Sequence, residues 1–280
     1  MRYRLLGVDL DGTLLQRDGS VSAADLEAIV AAQAAGCLVV PCTGRGWRES
    51  RVPLRVVEGL GPGVFNTGAA VMDLRTGHGI DTAVMEPGLV LELIEFLRPL
   101  PQAVMVYMDH NRAGVDFVVS GDGKILPKAD AWFEANDIRW REVREPTAED
   151  VHHALRVGLV AEGEEALRLE EKLMSNFRGR VHVHAFAGVP TASKDDYIYI
   201  AEVFAAGVNK WRGLTVLADK QGIPHDRIAG IGDEINDLAM LEHAACGVAM
   251  ANAVERAKAV ADYEAGSVAE AIGKMLEGAW

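Results

Sequence analysis

Leu5-Leu6-Gly7-Val8-Asp9-Leu10-Asp11-Gly12-Thr13-Leu14 sets a short apolar run hard against two acids. Leu5–Val8 reads as a fully buried strand of the kind found in parallel sheets covered on both faces. Asp9, Asp11, Gly12 and Thr13 fall where that strand stops, and in open α/β sheets the carboxyl ends of the strands are where ligands bind. Two neighbouring carboxylates in a buried setting are costly unless a cation or a proton compensates them. A site for phosphoryl transfer supplies both. An Asp-Gly turn closing a strand accounts for the same residues without any chemistry. What separates the two is whether the rest of the chain brings matching groups to that edge.

Outward from this stretch, Ser22-Ala23-Ala24-Asp25 has the form of a capping box. Leu26, Ile29 and Val30 then give a helical stripe that Gly36 closes. Residues 37–42 read as a second buried strand, stopping at Thr43-Gly44-Arg45-Gly46. A helix over 47–57 and a third strand over 63–66, ending in Thr67-Gly68, follow. This alternation, with polar or glycine residues at each strand end, predicts an α/β fold, a doubly wound, Rossmann-like parallel sheet. The pattern returns near the end of the chain with a helix over 211–221 and a strand over 228–231, broken at Gly232-Asp233-Glu234-Ile235-Asn236-Asp237. A helix over Leu238–His243, a last strand over 247–250 and a tail helix carrying Val268, Ile272, Met275 and Leu276 on one face complete it.

Between these halves the pattern changes. A helix over 89–97 precedes strands at 104–108 and 115–119, joined by the polar turn Asp109-His110-Asn111-Arg112 as an antiparallel hairpin. A charged, irregular stretch over 124–146 follows, then a strand at 157–161, a helix at 164–176 and the alternating strand Val181-His182-Val183-His184-Ala185. A strand at 197–201 reads as the exit from this region. Hairpins mixed with helices predict an α+β cap domain at 85–187, large enough for its own core, inserted into a core domain of 1–84 and 188–280.

The totals agree. A chain of 280 residues is long for a single core, and 49% hydrophobic with 25% charged residues is the composition of a globular protein. A net charge of −13 argues against nucleic acid or an anionic membrane as the partner. A phosphorylated substrate must therefore be captured by local charges and a metal. Cys37, Cys42 and Cys246 are far apart and without metal-type spacing, which suits a reducing cytoplasm. No signal peptide and no membrane-spanning run are visible. His182 and His184 share a strand face, but with no third ligand in view they read as partly buried strand histidines.

Four polar clusters sit at or just after strand ends: Asp9/Asp11, Thr43-Gly44-Arg45, Lys210 and Asp233/Asp237. Each has an ordinary explanation, as turn, solvated lysine or helix cap. In one α/β sheet all of them face a single crevice, and together they offer a nucleophile, an acid/base, a hydroxyl with backbone amides, a cation and metal-binding carboxylates. Asp-Leu-Asp-Gly-Thr-Leu, Thr-Gly-Arg, Lys210 and Gly-Asp-Glu-Ile-Asn-Asp, in that order, resemble the four motifs of the haloacid dehalogenase superfamily. The insert between the second and third motifs resembles the Cof-type, sucrose-phosphatase-like subfamily, as do Asn66-Thr67-Gly68-Ala69-Ala70 and Gly247-Val248-Ala249-Met250-Ala251-Asn252-Ala253.

That resemblance implies a set of roles. Asp9 would attack phosphorus to form an aspartyl-phosphate, and Asp11 would protonate the leaving oxygen and later activate water. Mg²⁺ would be held by Asp9, the Asp11 carbonyl and Asp233, with Asp237 orienting a metal-bound water or Lys210. Thr43 and Gly44 would hold phosphoryl oxygens, with Asn236 in the same network and Arg45 as a substrate contact, while Lys210 neutralises charge. Lys194, in Ala192-Ser193-Lys194-Asp195-Asp196, competes with Lys210 for the third motif; Lys210 is favoured because it opens a helix just before the fourth. The implied activity is Mg²⁺-dependent hydrolysis of a small phosphorylated metabolite, a sugar phosphate or phosphoglycerate-type ester, by a monomer or homodimer. A phosphomutase or phosphotransferase using the same aspartate is the alternative, ahead of a non-enzymatic phospho-receiver or binding protein.

Overall fold

Leu5, Leu6 and Val8 of β1 (Leu5–Val8) are all buried, and they alternate between two cores. Leu6 and Val8 join one cluster with Ile29, Val248 and Ile272, while Leu5 joins another with Val40, Leu214 and Met240. A strand covered on both faces has no polar side to show, which is why its sequence is unbroken apolar rather than alternating. The computed structural model describes residues 1–121, 123–125, 127–162, 165–190 and 197–280. It forms two compact units, Met1–Asp81 with Asn209–Trp280, and Thr82–Val208.

In the first unit β2 (Leu38–Pro41) lies parallel to β1 on one side. β3 (Pro62–Phe65) pairs antiparallel with β4 (Ala70–Asp73), and β5 (Gly79–Thr82) lies beside β4 on its other side. The second unit contains β6 (Val104–Met108), β7 (Phe117–Ser120), β8 (Trp140–Glu142), β9 (Ala154–Glu162), β10 (Val181–Pro190) and β11 (Tyr197–Ala205). The chain then returns to the first unit with β12 (Ile228–Gly232), β13 (Cys246–Met250) and β14 (Tyr263–Ala265). The core sheet runs β14-β13-β12-β1-β2 with every pairing parallel. Its register sets Val8 beside both Ile231 and Pro41, so three strands end at one level. Asp9, Thr43 and Asp233 all emerge there.

The inserted unit is a six-stranded mixed sheet, β10-β11-β9-β6-β7-β8, with helices Pro87–Leu97 and Glu165–Asn176 packing on one face through Leu89, Leu93, Ile94, Leu169 and Leu173. Its boundaries correct the expected 85–187. β11 pairs with β10 on one side and with β9 on the other, so its backbone hydrogen bonds tie it to the insert, not to the 188–280 core segment.

Four local expectations also change. The helix over 47–57 divides into Trp47–Arg51 and a 3₁₀ turn, Pro53–Val56, because Pro53 has no N–H to continue the helical ladder. The third strand pairs antiparallel with β4 and is joined to the parallel sheet by the isolated Cys42–Val64 bridge. The stretch over 124–146 contains a helix, Pro127–Ala135, and β8. Finally, 247–250 is not the last strand, since β14 covers the sheet edge beyond it. None of the described helices is long and apolar enough to cross a membrane.

Candidate active site

The chain leaves β1 with the Asp9 amide still donating to the Ile231 carbonyl at 2.9 Å. It then coils tightly, Leu15 N–H bonding to the Leu10 carbonyl at 2.7 Å. Gly12 makes this coil possible: its φ of +81° is left-handed, and a Cβ there would lie 2.2 Å from Asp233 Oδ2. The loop thus closes directly on the carboxylate that follows β12. Thr13 Oγ1 donates to Asp233 Oδ1 at 2.9 Å, and Asn252 Nδ2 donates both to the Gly12 carbonyl at 2.9 Å and to Asp233 Oδ2 at 3.2 Å.

Lys210 opens the helix Lys210–Gln221, whose N-cap is Asn209. The lysine is 0% exposed, and its Nζ donates to Asp9 Oδ1 at 2.5 Å and to Asp237 Oδ1 at 2.7 Å. The other oxygen of Asp237 accepts from the backbone N–H groups of Asp233 (3.0 Å) and Glu234 (3.1 Å), and so pins the turn after β12. Gly232 lets that turn pack, since a Cβ there would meet Asp237 Cγ at 2.4 Å. One oxygen each from Asp9, Asp233 and Asp237 lie within 4.8 Å of one another.

Three carboxylates against one ammonium leave two surplus negative charges if all are ionised. Burial pushes the Asp9 carboxyl well above the usual carboxylate range, with Asp237 and Asp233 adding to the rise and Lys210 opposing it. Burial and the Asp237 charge likewise push Asp233 up to about 6, against the pull of the Thr13 hydroxyl. For Lys210 burial alone acts downward, but the Asp237 and Asp9 charges outweigh it and hold the ammonium above its ordinary value. An all-oxygen donor set with two uncompensated negative charges is what a hard divalent cation such as Mg²⁺ requires. The residues fit.

The remaining expected residues divide. The Asp11 side chain is exposed and stands outside the three-carboxylate group, gripped by the Arg45 guanidinium: Nε donates to Oδ2 at 2.7 Å, and the second nitrogen donates to Oδ1. Thr43 is buried, its Oγ1 accepting from the Arg45 N–H at 3.1 Å. The side chain of Asn236 reaches the Gly44 Cα, with Nδ2 3.4 Å from where a Cβ would lie. Lys194 lies outside the described residues. Glu234 is exposed and caps its own turn, accepting from the Ile235 N–H. In the inserted unit, Nε2 of His182 faces Nε2 of His184, with no third ligand among the described residues. Sequence reasoning passed over Thr13 and Asn252, although both lie inside stretches it singled out. Nothing local in either stretch says that the two side chains converge on Asp233.

Comparison with known proteins adds a family. Residues 6–276 match the model of the haloacid dehalogenase-like hydrolases. The chain is 29% identical over 262 residues to the 5-amino-6-(5-phospho-D-ribitylamino)uracil phosphatase YitU of Bacillus subtilis (strain 168), covering 92% of this chain and 90% of that protein. It is 26% identical to the pyridoxal phosphate phosphatase YbhA of Escherichia coli (strain K12), covering 95% and 94% respectively. The fold is that of a haloacid dehalogenase-like hydrolase from Bacteroides thetaiotaomicron, with a TM-score of 0.72 at 24% identity over 98% of this chain and 99% of that one.

Proposed function

The chain belongs to the haloacid dehalogenase-like hydrolase family and is a phosphatase of small phosphorylated metabolites; from that premise we propose that it depends on Mg²⁺ and works through an aspartyl-phosphate on Asp9. The observation that carries this is the Lys210 ammonium seated between Asp9 and Asp237. Lys210 ties down Asp9 Oδ1 and leaves the carboxylate's other oxygen to attack phosphorus as the ester P–O bond breaks. Asp11, once its carboxylate has left Arg45 and taken up a proton from solvent, gives that proton to the departing oxygen and regains one from the water that cleaves the acyl phosphate. For this Arg45 must release Asp11, which it does by turning to the incoming ester. Thr43, Gly44 and Asn236 hold the phosphoryl oxygens. Asp9, Asp233 and the Asp11 carbonyl would hold Mg²⁺, with Asp237 orienting Lys210 or a metal-bound water, and the bound cation would neutralise charge on the phosphoryl oxygens.

Thr13 and Asn252 then serve to aim Asp233. Replacing Asp233 by Ala is expected to raise the Mg²⁺ concentration for half-maximal activity about tenfold or more, a loss of at least about 1.4 kcal/mol of cation binding. A metal titration identical to the parent's would remove Asp233 as a ligand.

Asp233 also sets a pH dependence. Its value in the folded protein, about 6, lies above the roughly 3.9 of an unfolded aspartate. Protonating it therefore favours the folded state. That contribution is complete below about pH 4 and is lost as pH rises through about 6. Mg²⁺ competes for the same oxygens, so the rise in Tm that it produces should grow from about pH 5 to about pH 7. At a concentration of about a hundred times Kd the free energy of stabilisation behind that rise should approach about 2.7 kcal/mol. An equal rise at both pH values would contradict the cation site.

The substrate we propose is an alcohol phosphate of the sugar-phosphate or phosphoglycerate class, met in a reducing cytoplasm where the buried thiols Cys37, Cys42 and Cys246 stay free. Phosphate release across a panel of such esters with Mg²⁺ tests this. Isomerisation of a hexose phosphate without release would instead make the chain a phosphomutase.

A further inference from the structure

Just after β3 the backbone enters the left-handed region twice in succession at residues that are not glycine, Asn66 (φ 48°) and Thr67 (φ 53°). Such positions cost on the order of 1–3 kcal/mol each, and a β-branched residue fits them worst. The strained turn is held from outside. The Asn66 N–H donates to the Arg45 carbonyl at 2.9 Å and the Thr67 N–H to the Thr43 carbonyl at 3.0 Å. Arg212, from the helix that Lys210 opens, donates to the Gly68 carbonyl at 3.1 Å. The turn is thereby fastened to the Thr43-Gly44-Arg45 loop.

Thr67 is 1% exposed, and among the described residues its Oγ1 has no hydrogen-bond partner; nor have Oδ1 of Asn66 and Oδ1 of Asn236. An orphaned buried hydroxyl is a further cost of roughly 1–3 kcal/mol. Two penalties on one side chain have no structural return, because glycine would take the φ freely and bury no hydroxyl. The geometry around Gly44 supplies the reason. At the position where a Gly44 Cβ would lie, among the described residues and apart from Gly44 and its chain neighbours, two heavy atoms come within 4 Å, Asn236 Nδ2 at 3.4 Å and Thr67 Oγ1 at 3.5 Å. Both are polar, and both belong to side chains that carry a buried atom without a hydrogen-bond partner among the described residues.

Building on the phosphatase reading, we propose that Thr67 is a substrate-binding residue whose hydroxyl, near the Asn236 carboxamide, donates a hydrogen bond to a non-bridging oxygen of the phosphoryl group laid over Gly44. The ligand is a tetrahedral oxyanion, presented by a phosphate monoester or by the orthophosphate product. The strain at residue 67 aims that donor in advance, so no ordering is needed when the ester arrives.

The test compares Thr67→Val, Thr67→Ser and Thr67→Gly by p-nitrophenyl phosphate hydrolysis with Mg²⁺, by orthophosphate binding in calorimetry and by Tm. Removing one preorganised donor should lower kcat/KM about tenfold to a hundredfold in the Val variant and weaken orthophosphate binding about tenfold. Ser, which keeps the hydroxyl, should stay within about threefold of the parent. Gly discriminates: it relieves the strain, so Tm should rise while activity and orthophosphate binding fall as far as in Val. If Val and Gly match an active parent in both kinetics and orthophosphate binding, Thr67 is merely structural and the proposal fails while the phosphatase stands. A parent that neither hydrolyses the ester nor binds orthophosphate overturns both.

Discussion

Asp9→Asn protein is expected to fold normally and to release phosphate at least about ten-thousandfold more slowly than its parent, the loss that follows when the attacking group of a covalent mechanism is removed. Asparagine keeps the shape of the side chain and can still accept from Lys210 through its amide oxygen. It cannot form the acyl phosphate. Stability should not suffer, because the substitution removes one of three clustered buried acids, two of which pair with the same lysine. Burial already pushes the Asp9 carboxyl upward, so exchanging it for a neutral group relieves a desolvation penalty. Tm at neutral pH, with Mg²⁺ removed by chelator, should equal or exceed the parent's. Single-turnover release of phosphate reads the other half. A variant retaining even a few per cent of the rate would show that Asp9 is not the nucleophile.

Lys210→Met should damage the fold as well as the chemistry. Met approximates the lysine's volume and supplies no charge, so Asp9 and Asp237 stay buried with no ammonium between them. Breaking a buried pair from one side costs about 3–5 kcal/mol, which in a domain of this size lowers Tm on the order of 10 °C. With the ammonium gone, the Asp9 carboxyl, which Lys210 otherwise pulls downward, holds its proton more strongly in the folded state. Lost stability should therefore return as pH is lowered and worsen as it rises through neutrality. The Asp9→Asn/Lys210→Met double variant should be more stable than Lys210→Met alone, because the two residues touch and their effects cannot add. Lys194→Ala beside it should leave both rate and Tm close to the parent's. If instead Lys194→Ala lost several orders in rate and Lys210→Met lost little, the third motif would have been placed on the wrong lysine.

What could be read from the chain was whatever a few neighbouring residues determine together. The unbroken apolar run ending at Asp9, the Ser22 cap, the helix after Asp237 and the turn at Gly232-Asp233 are local patterns of burial and backbone geometry, and each forms where it was expected. The placement of Asp9, Thr43 and Asp233 at one sheet edge follows from strand ends alone, once the strands are taken as parallel. Other features depended on partners that no local pattern announces. Pro62–Phe65 has the composition of a parallel strand, but hydrogen-bonds backward to Ala70–Asp73. Tyr197–Ala205 could have closed the core, and its pairing on both sides puts it in the insert.

The site divides in the same way. The acids and Lys210 were legible because their residue types and order are unusual. Their pairings were not, since Lys210 reaches Asp9 across 201 positions and Thr13 reaches Asp233 across 220. A hydrogen bond at that separation is decided by sheet register and helix packing, which bring side chains within hydrogen-bonding distance of their partners only after the whole core has closed. By itself the sequence determined which groups gather at the strand ends. Only the tertiary structure decided that Asp11 rests on Arg45 instead of beside Asp9, and that Thr67 is held in strain over Gly44.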